Sequence, residues 1–161
     1  MVNDRQHYCS GSSTRSRRKR GQQEQALGRS RGGFGTKIHT LADALGDPVR
    51  FILSGGEQSD YRQALPLLRG KTAQAVLADK GYDADYIVAE IKGMNAEPVI
   101  PPKNTRKTFR EYDSFLYKER NVIERTFGKM KHYRSIATRY SKTALSYLAF
   151  VQLLAIMLWL K

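Results

Sequence analysis

Two short apolar runs, "AQAVLAD" at 73–79 and "EPVIPP" at 97–102, enclose a segment at 83–93, "DADYIVAEIKG", whose apolar residues recur at helical spacing. A strand, a helix and a strand in so short a stretch predict a sheet with helices packed on it, an α/β arrangement. In the helix, Ile87, Val88 and Ile91 share one stripe, Asp85 stands as a candidate N-cap and Gly93 as the stop. Upstream, "TKIHTLAD" (36–43) and "PVRFILSG" (48–55) are strand-like and flank the turn signal "ALGDP", which predicts an antiparallel hairpin. "DYRQALPLLRG" (60–70) reads as a helix capped by Asp60 and kinked at Pro66. Two helices, 114–134 and 142–160, complete the chain. No internal repeat and no second composition regime divides it, so 161 residues predict one domain.

The formal charge of +13 points to a polyanionic partner, of which nucleic acid is the commonest. Residues 1–20 hold six Lys or Arg and one Asp, and removing their net +5 leaves +8 on the rest. Residues 1–33 lack apolar periodicity and read as a disordered basic arm ahead of a folded body at 34–161. With Cys9 the single cysteine, no internal disulfide can form and a reducing compartment fits. The N-terminus has no long apolar signal segment. The apolar run "LSYLAFVQLLAIMLWL" (145–160) has 16 residues, short of the roughly 20 a bilayer span needs, and reads as a buried helix with Trp159 in the core. A cytoplasmic, nucleoid-associated protein with no membrane partner is the expectation.

Helical spacing across "YKERNVIERTFGKMK" (117–131) gathers Tyr117, Arg120, Glu124 and Lys131 into a sector of about 60°. Val122, Ile123, Phe127 and Met130 fall on the adjoining face. Arg120, four residues before Glu124, can hold that carboxylate without filling its acceptor sites. The same spacing suits a solvated helix laced with i,i+4 pairs, and spacing alone does not choose. A second acid shifts the balance. Asp79 closes the apolar run at 73–79, and ligands of open α/β sheets bind at the carboxyl ends of strands. Gly81 allows a sharp turn there, while Asp83 and Asp85 suit helix capping better than Asp79 does. A carboxylate at such an edge can bind Mg²⁺, which needs only one or two protein carboxylates. Asp79 and Glu124 together therefore suggest metal-dependent phosphoryl transfer.

"LADKGYDADYI" followed by Tyr117-x2-Arg120-x3-Glu124-x6-Lys131 resembles the DDE transposases of bacterial insertion sequences, in the group with a Tyr-Arg-Glu-Lys signature. The block "GQQEQALGRSRGGFGTKIHTLAD" and the tail "FVQLLAIMLWL" extend the resemblance from about residue 21 to the end. The resemblance implies a ribonuclease-H-like fold: a mixed sheet, flanked by helices, that brings Asp, Asp and Glu around two Mg²⁺ (or Mn²⁺) ions. It implies cleavage at insertion-sequence ends and joining of the freed 3′-OH to target DNA, in a complex of several subunits. Carried over, Asp79 is the second catalytic Asp and Glu124 the catalytic Glu, both metal ligands. Tyr117, Arg120 and Lys131 support the site or contact end DNA. The connector "PPKNTRK" adds Lys103, Arg106 and Lys107 as candidate phosphate contacts, though it also suits a solvated loop.

One position departs from the family. Its first catalytic Asp lies upstream on a strand reading Asp-Ser-Thr, whereas the only acid before Glu24 is Asp4, in "NDRQHYCS", which does not read as a buried strand. Codons chosen freely for residues 5–19, read one nucleotide later, give Asp-Ser-Thr-Ile-Val-Arg-Ala-His-Gln-His-Ala-Ala-Gly-Ala, the family-like strand. The first 20 residues then read as an out-of-frame version of that strand. The element either joins two frames by ribosomal frameshifting, with an upstream-frame product as partner, or carries a disabling frameshift. Lacking the strand, the domain is expected to be an incomplete ribonuclease-H-like fold and the chain alone to be inactive. The alternative is a DNA-binding fragment that occupies ends without cutting. His7, His39 and His132 make no metal cluster by spacing, and His39 reads as structural.

Overall fold

The computed structural model describes residues 2–10, 25–30, 33–106 and 109–160, the first group and residue 30 by backbone alone. Six strands form one mixed sheet among these residues. They are β1 (Val2–Ser10), β2 (Gly28–Ser30), β3 (Gly33–Ala42), β4 (Pro48–Gly55), β5 (Ala75–Leu77) and β6 (Glu97–Val99). β3 and β4 make the expected antiparallel hairpin, from Thr36↔Gly55 to Leu41↔Arg50. β1 pairs antiparallel with β3 and parallel with β5, and β5 pairs parallel with β6. β2 pairs with the start of β3.

β1 corrects the expectation of a disordered arm over 1–33 at residues 2–10, while 1, 11–24 and 31–32 of that arm lie outside the described residues. Residues 2–10 fill the central slot between β3 and β5, so the sheet has no gap there. Pairing uses backbone N–H and C=O groups that any residue but proline supplies, so a polar stretch without apolar alternation can still complete a ladder. Gly28–Ser30 is likewise strand.

Helices cover both faces. On one, α1 (Ala64–Leu68) and α2 (Asp85–Gly93) bury Leu67, Leu68, Ile87 and Ile91 against Leu41 and Val76. On the other, α4 (Asn121–Lys131), α5 (Arg134–Ala137) and α6 (Ala144–Trp159) pack Ile123, Phe127, Met130, Ile136, Tyr147 and Val151 onto Ile38 and Ala42. Strand alternation explains the split, since Ile38 and Ala42 share a side that Leu41 does not.

Several local expectations shift by a residue. A 3-10 turn, Asp60–Gln63, precedes α1, with Ser59 rather than Asp60 at its N-cap. Ala84, not Asp85, is the N-cap of α2, and no side chain caps it. Gly81 lies in a 3-10 turn and is not among the glycines with positive φ. The helix expected at 114–134 is α3 (Ser114–Tyr117), a 3-10 turn (Lys118–Arg120) and α4 in succession. Asp113 caps α3 by accepting from Phe115 and Leu116 N–H.

α6 is only half buried. Leu145, Phe150, Leu153, Ile156 and Leu160 are exposed, and so is Trp159, which corrects its assignment to the core. Trp159 instead lies along the start of β4, donating its Nε1–H to the Pro48 carbonyl at 3.0 Å. A helix that is apolar all round has one face more than this sheet can cover. Among the described residues, no helix is long and apolar enough to cross a membrane.

Two contacts fix α4 over the sheet. Thr126 Oγ1 donates to the Gly46 carbonyl at 2.7 Å, tying α4 to the β3–β4 turn. Gly46 has φ +90°, and a Cβ there would come within 2.4 Å of Val122, so the turn requires glycine on both grounds.

Candidate functional site

β5 ends at Leu77, and two residues later Asp79 leaves the sheet at its carboxyl edge. Asp79 holds the N-cap position of the 3-10 turn Lys80–Tyr82, yet its side chain makes no capping bond. The carboxylate is therefore not a capping acid. Ala75 and Leu77 pack with Val99 against Tyr112, Leu116 and Tyr117, so the side of β5 that Asp79 continues is the one α3 covers.

Tyr117 links the two acids. Burial pushes its hydroxyl up from the ordinary value, Arg120 pulls it down, and the negative charge of Asp79 adds to the rise. The Arg120 guanidinium lies over the Tyr117 ring at 5.1 Å and gives Nη2 to Glu124 Oε1 at 2.8 Å. Asp79, Tyr117, Arg120 and Glu124 thus form one neighbourhood between the β5 edge and the start of α4. Arg120 Nε and Nη1 are buried there without a hydrogen-bond acceptor among the described residues. A cation with two unsatisfied buried donors suits an incoming anion.

The other predicted residues lie elsewhere. Lys131 is exposed at the far end of α4, seven residues or about 10 Å along the helix from Glu124. Lys107 falls outside the described residues. Lys103 and Arg106 belong to a second cluster built on Asp83. Asp83 Oδ2 accepts from Lys103 N at 2.8 Å and Arg106 Nε at 3.0 Å, and Oδ1 accepts from Arg110 Nη1 at 3.1 Å. Burial alone would raise the Asp83 carboxyl, but these donors overcome it and hold the group below its ordinary 3.8. Asp85, the other expected cap, bonds Arg106 and Arg110 instead. Lys103 Nζ sits 5.6 Å from the Tyr61 ring centroid.

Three residues that support this framework escaped sequence reasoning. Arg110 looked like one more charge in a basic connector. Arg139 is buried, donates to the Gln25 carbonyl at 2.8 Å and Thr36 Oγ1 at 2.5 Å, and stacks on Tyr147 at 5.4 Å. Burial lowers its pKa. Lys37, also buried, donates to the Gln58 carbonyl and to Asp60. Pairwise spacing carried no sign of these, because their partners lie up to 114 residues away. His39, expected as structural, is buried and shares a 2.7 Å hydrogen bond with Ser54 Oγ. Burial, with Lys37 adding to it, lowers its pKa to about 4.

Among the described residues no group of three or more His, Cys, Asp or Glu side chains could hold a metal ion. Asp79 and Glu124 are hard oxygen donors suited to Mg²⁺, but they are two.

A basic α/β domain with acids at the carboxyl edge of its sheet and on the facing helix has the parts of a nucleic-acid phosphoryl-transfer protein. The family described as the transposase DDE domain matches residues 10–160, and the chain belongs to it. A Brucella ovis protein carrying the name of transposase for insertion sequence element IS6501 is 41% identical over 128 residues, covering 78% of this chain and 98% of that relative. A Burkholderia cepacia protein similarly named for IS402 is 35% identical over 131 residues, covering 74% of this chain. The chain spans 60% of the length of the IS402 relative. No solved structure matches the chain. Membership of this family places the chain's role in DNA transposition and implies phosphoryl transfer on DNA.

Proposed function

We propose that this chain is the C-terminal catalytic portion of an insertion-sequence transposase whose first catalytic carboxylate is encoded in another frame. Its fold is read as ribonuclease-H-like, supported by antiparallel β4–β3–β1 and parallel β1–β5–β6 in one sheet. Asp79 and Glu124, with the first Asp of the complete enzyme, would hold two divalent ions, Mg²⁺ or Mn²⁺, which would supply activation of the attacking oxygen and charge stabilisation at the leaving one. Arg120 fixes Glu124 and offers the scissile phosphate the two donors that find no acceptor among the described residues, with Tyr117 as the platform beneath its guanidinium. Lys131 and Lys103 contact the DNA flanking that phosphate.

The observation that carries the reading is the register of β1. Val2 pairs with Val76 and Asn3 with Leu77, and this register, carried two residues past the end of the pairing, sets position 5 opposite Asp79. Position 5 is where the shifted frame begins with Asp, and this chain has Arg5 there. The family match, starting at residue 10, leaves nearly all of β1 outside it. Without a carboxylate at position 5 the site keeps Asp79 and Glu124 but lacks the family's first Asp, so the chain alone binds DNA ends without cutting them. Activity needs a product joined to the upstream frame, and self-association on end and target DNA completes the assembly.

The test compares the chain with a version carrying the shifted-frame strand at 5–18, on terminal-repeat DNA with Mg²⁺ or Mn²⁺. The restored version is expected to nick and join, and Asp79→Ala or Glu124→Ala to stop it. Efficient nicking by the present chain would overturn the reading. So would a gene with no upstream frame encoding that strand.

A further inference from the structure

We propose that Arg106 and Arg110 form a DNA-phosphate site, shaped by buried Asp83 and occupied in the free protein by the exposed Asp85 carboxylate, which phosphate displaces. The proposal rests on the DNA-binding reading and adds to it a specific anchoring point outside the carboxylate centre.

The two aspartates hold the same pair of arginines but differ in setting. The Asp83 side chain is 1% exposed, whereas that of Asp85 is 80% exposed. Asp83 takes Arg106 Nε and Arg110 Nη1 on separate oxygens, fixing the plane and spacing of both guanidinia. Asp85 receives Arg106 Nη2 at 2.8 Å and Arg110 Nη2 at 2.5 Å on the single oxygen Oδ1. Two guanidinia converging on one anionic oxygen is the arrangement a phosphate oxygen requires. A phosphate brings further acceptors for N–H groups that a carboxylate does not reach.

Exchange is cheap on the protein side. A solvent-exposed ion pair contributes little, so swinging Asp85 outwards costs up to about fivefold in binding. Asp83 stays in place, and the fork keeps its shape. Asp85 is the first residue of the nine-residue α2, whose N-cap carries no side-chain bond, so the helix terminus favours an anion at the same point. The arginines follow β6, the parallel neighbour of β5, so the fork and Asp79 share the carboxyl edge of the sheet. Duplex DNA approaching Asp79 along that edge meets the fork.

Binding of a short labelled duplex to the purified full chain, followed across NaCl concentrations, tests the proposal. Asp85→Asn should tighten binding by about two- to fivefold beyond Glu90→Gln, which removes the same charge from an exposed position of α2. Arg110→Gln should weaken binding and lower the slope of log affinity against log salt by about one. In a background carrying both Arg106→Gln and Arg110→Gln, the gain from Asp85→Asn should vanish. Equal effects of Asp85→Asn and Glu90→Gln would overturn the site, as would a gain that survives loss of both arginines. Failure of the unmodified chain to bind duplex DNA at all would instead remove the DNA-binding reading beneath it.

Discussion

Two charge clusters stand at the same sheet edge and are built on opposite principles. Around Asp83 the donors and acceptors are matched: a buried carboxylate takes a backbone N–H and two guanidinia, and a second carboxylate takes what remains. Around Arg120 they are not. One nitrogen reaches Glu124, while two buried nitrogens have no acceptor among the described residues. A closed cluster holds its shape before any ligand arrives, and an anion enters it only by displacing the exposed Asp85 carboxylate. An open one leaves desolvated donors without an acceptor among the described residues, which suits a site meant to be filled. The seven residues from Asp79 to Asp85 therefore carry acids of different kinds, despite their similar appearance in "ADKGYDAD".

The sharpest break between the clusters is in activity. In the frame-restored protein, Asp79→Ala and Glu124→Ala are expected to reduce end cleavage to background, while Asp85→Asn leaves it measurable. A cleavage assay with Mg²⁺ on terminal-repeat DNA reads this directly.

Stability should show the reverse order, with one pH effect to separate first. His39 has a folded pKa of about 4 against an ordinary 6.5, so the unfolded chain binds the extra proton between those values. Its contribution is present above pH 6.5 and is lost as pH falls towards 4, by roughly 3 kcal/mol in all. Urea midpoints from pH 7.5 to 4 should fall for the unmodified chain and flatten for His39→Gln. Asp83, with its pKa held below 3.8, loses its contribution only as pH drops further, through that lowered value.

At neutral pH, Asp83→Ala is expected to cost about 2 kcal/mol in urea unfolding, since it strips acceptors from a buried N–H and two guanidinia. Arg120→Met is expected to change stability by less than about 1 kcal/mol, because its pair with Glu124 is partly exposed. The same change should weaken end binding. A larger stability loss for Arg120→Met than for Asp83→Ala would dissolve the distinction between the clusters.

Much of this domain was legible from local pattern. The hairpin at 36–55, the stripe Ile87, Val88 and Ile91, and the buried face of α4 follow from periodicities of 2 and 3.6. The pairing of Arg120 with Glu124 follows from i,i+4 spacing. The wheel failed with Lys131, since an angular sector ignores distance along the axis. It failed too with Asp85, where a capping role was inferred from type and position alone. The half-bare α6 escaped as well, because an all-apolar helix signals burial without saying how much surface exists to bury it.

By itself, the sequence determined the hairpin at 36–55, the strand–helix–strand unit at 73–102, the basic character of the body and the residue types at the candidate site. These depend on neighbours within a turn or a pleat. Only the tertiary structure decided that residues 2–10 fill the central strand, that Asn3 pairs with Leu77, and that Asp83 rather than solvent holds Arg106 and Arg110. Those outcomes depend on backbone pairing and burial between segments far apart in the chain. Backbone hydrogen bonding is blind to side-chain identity, and a carboxylate's role is set by its desolvation and its donors.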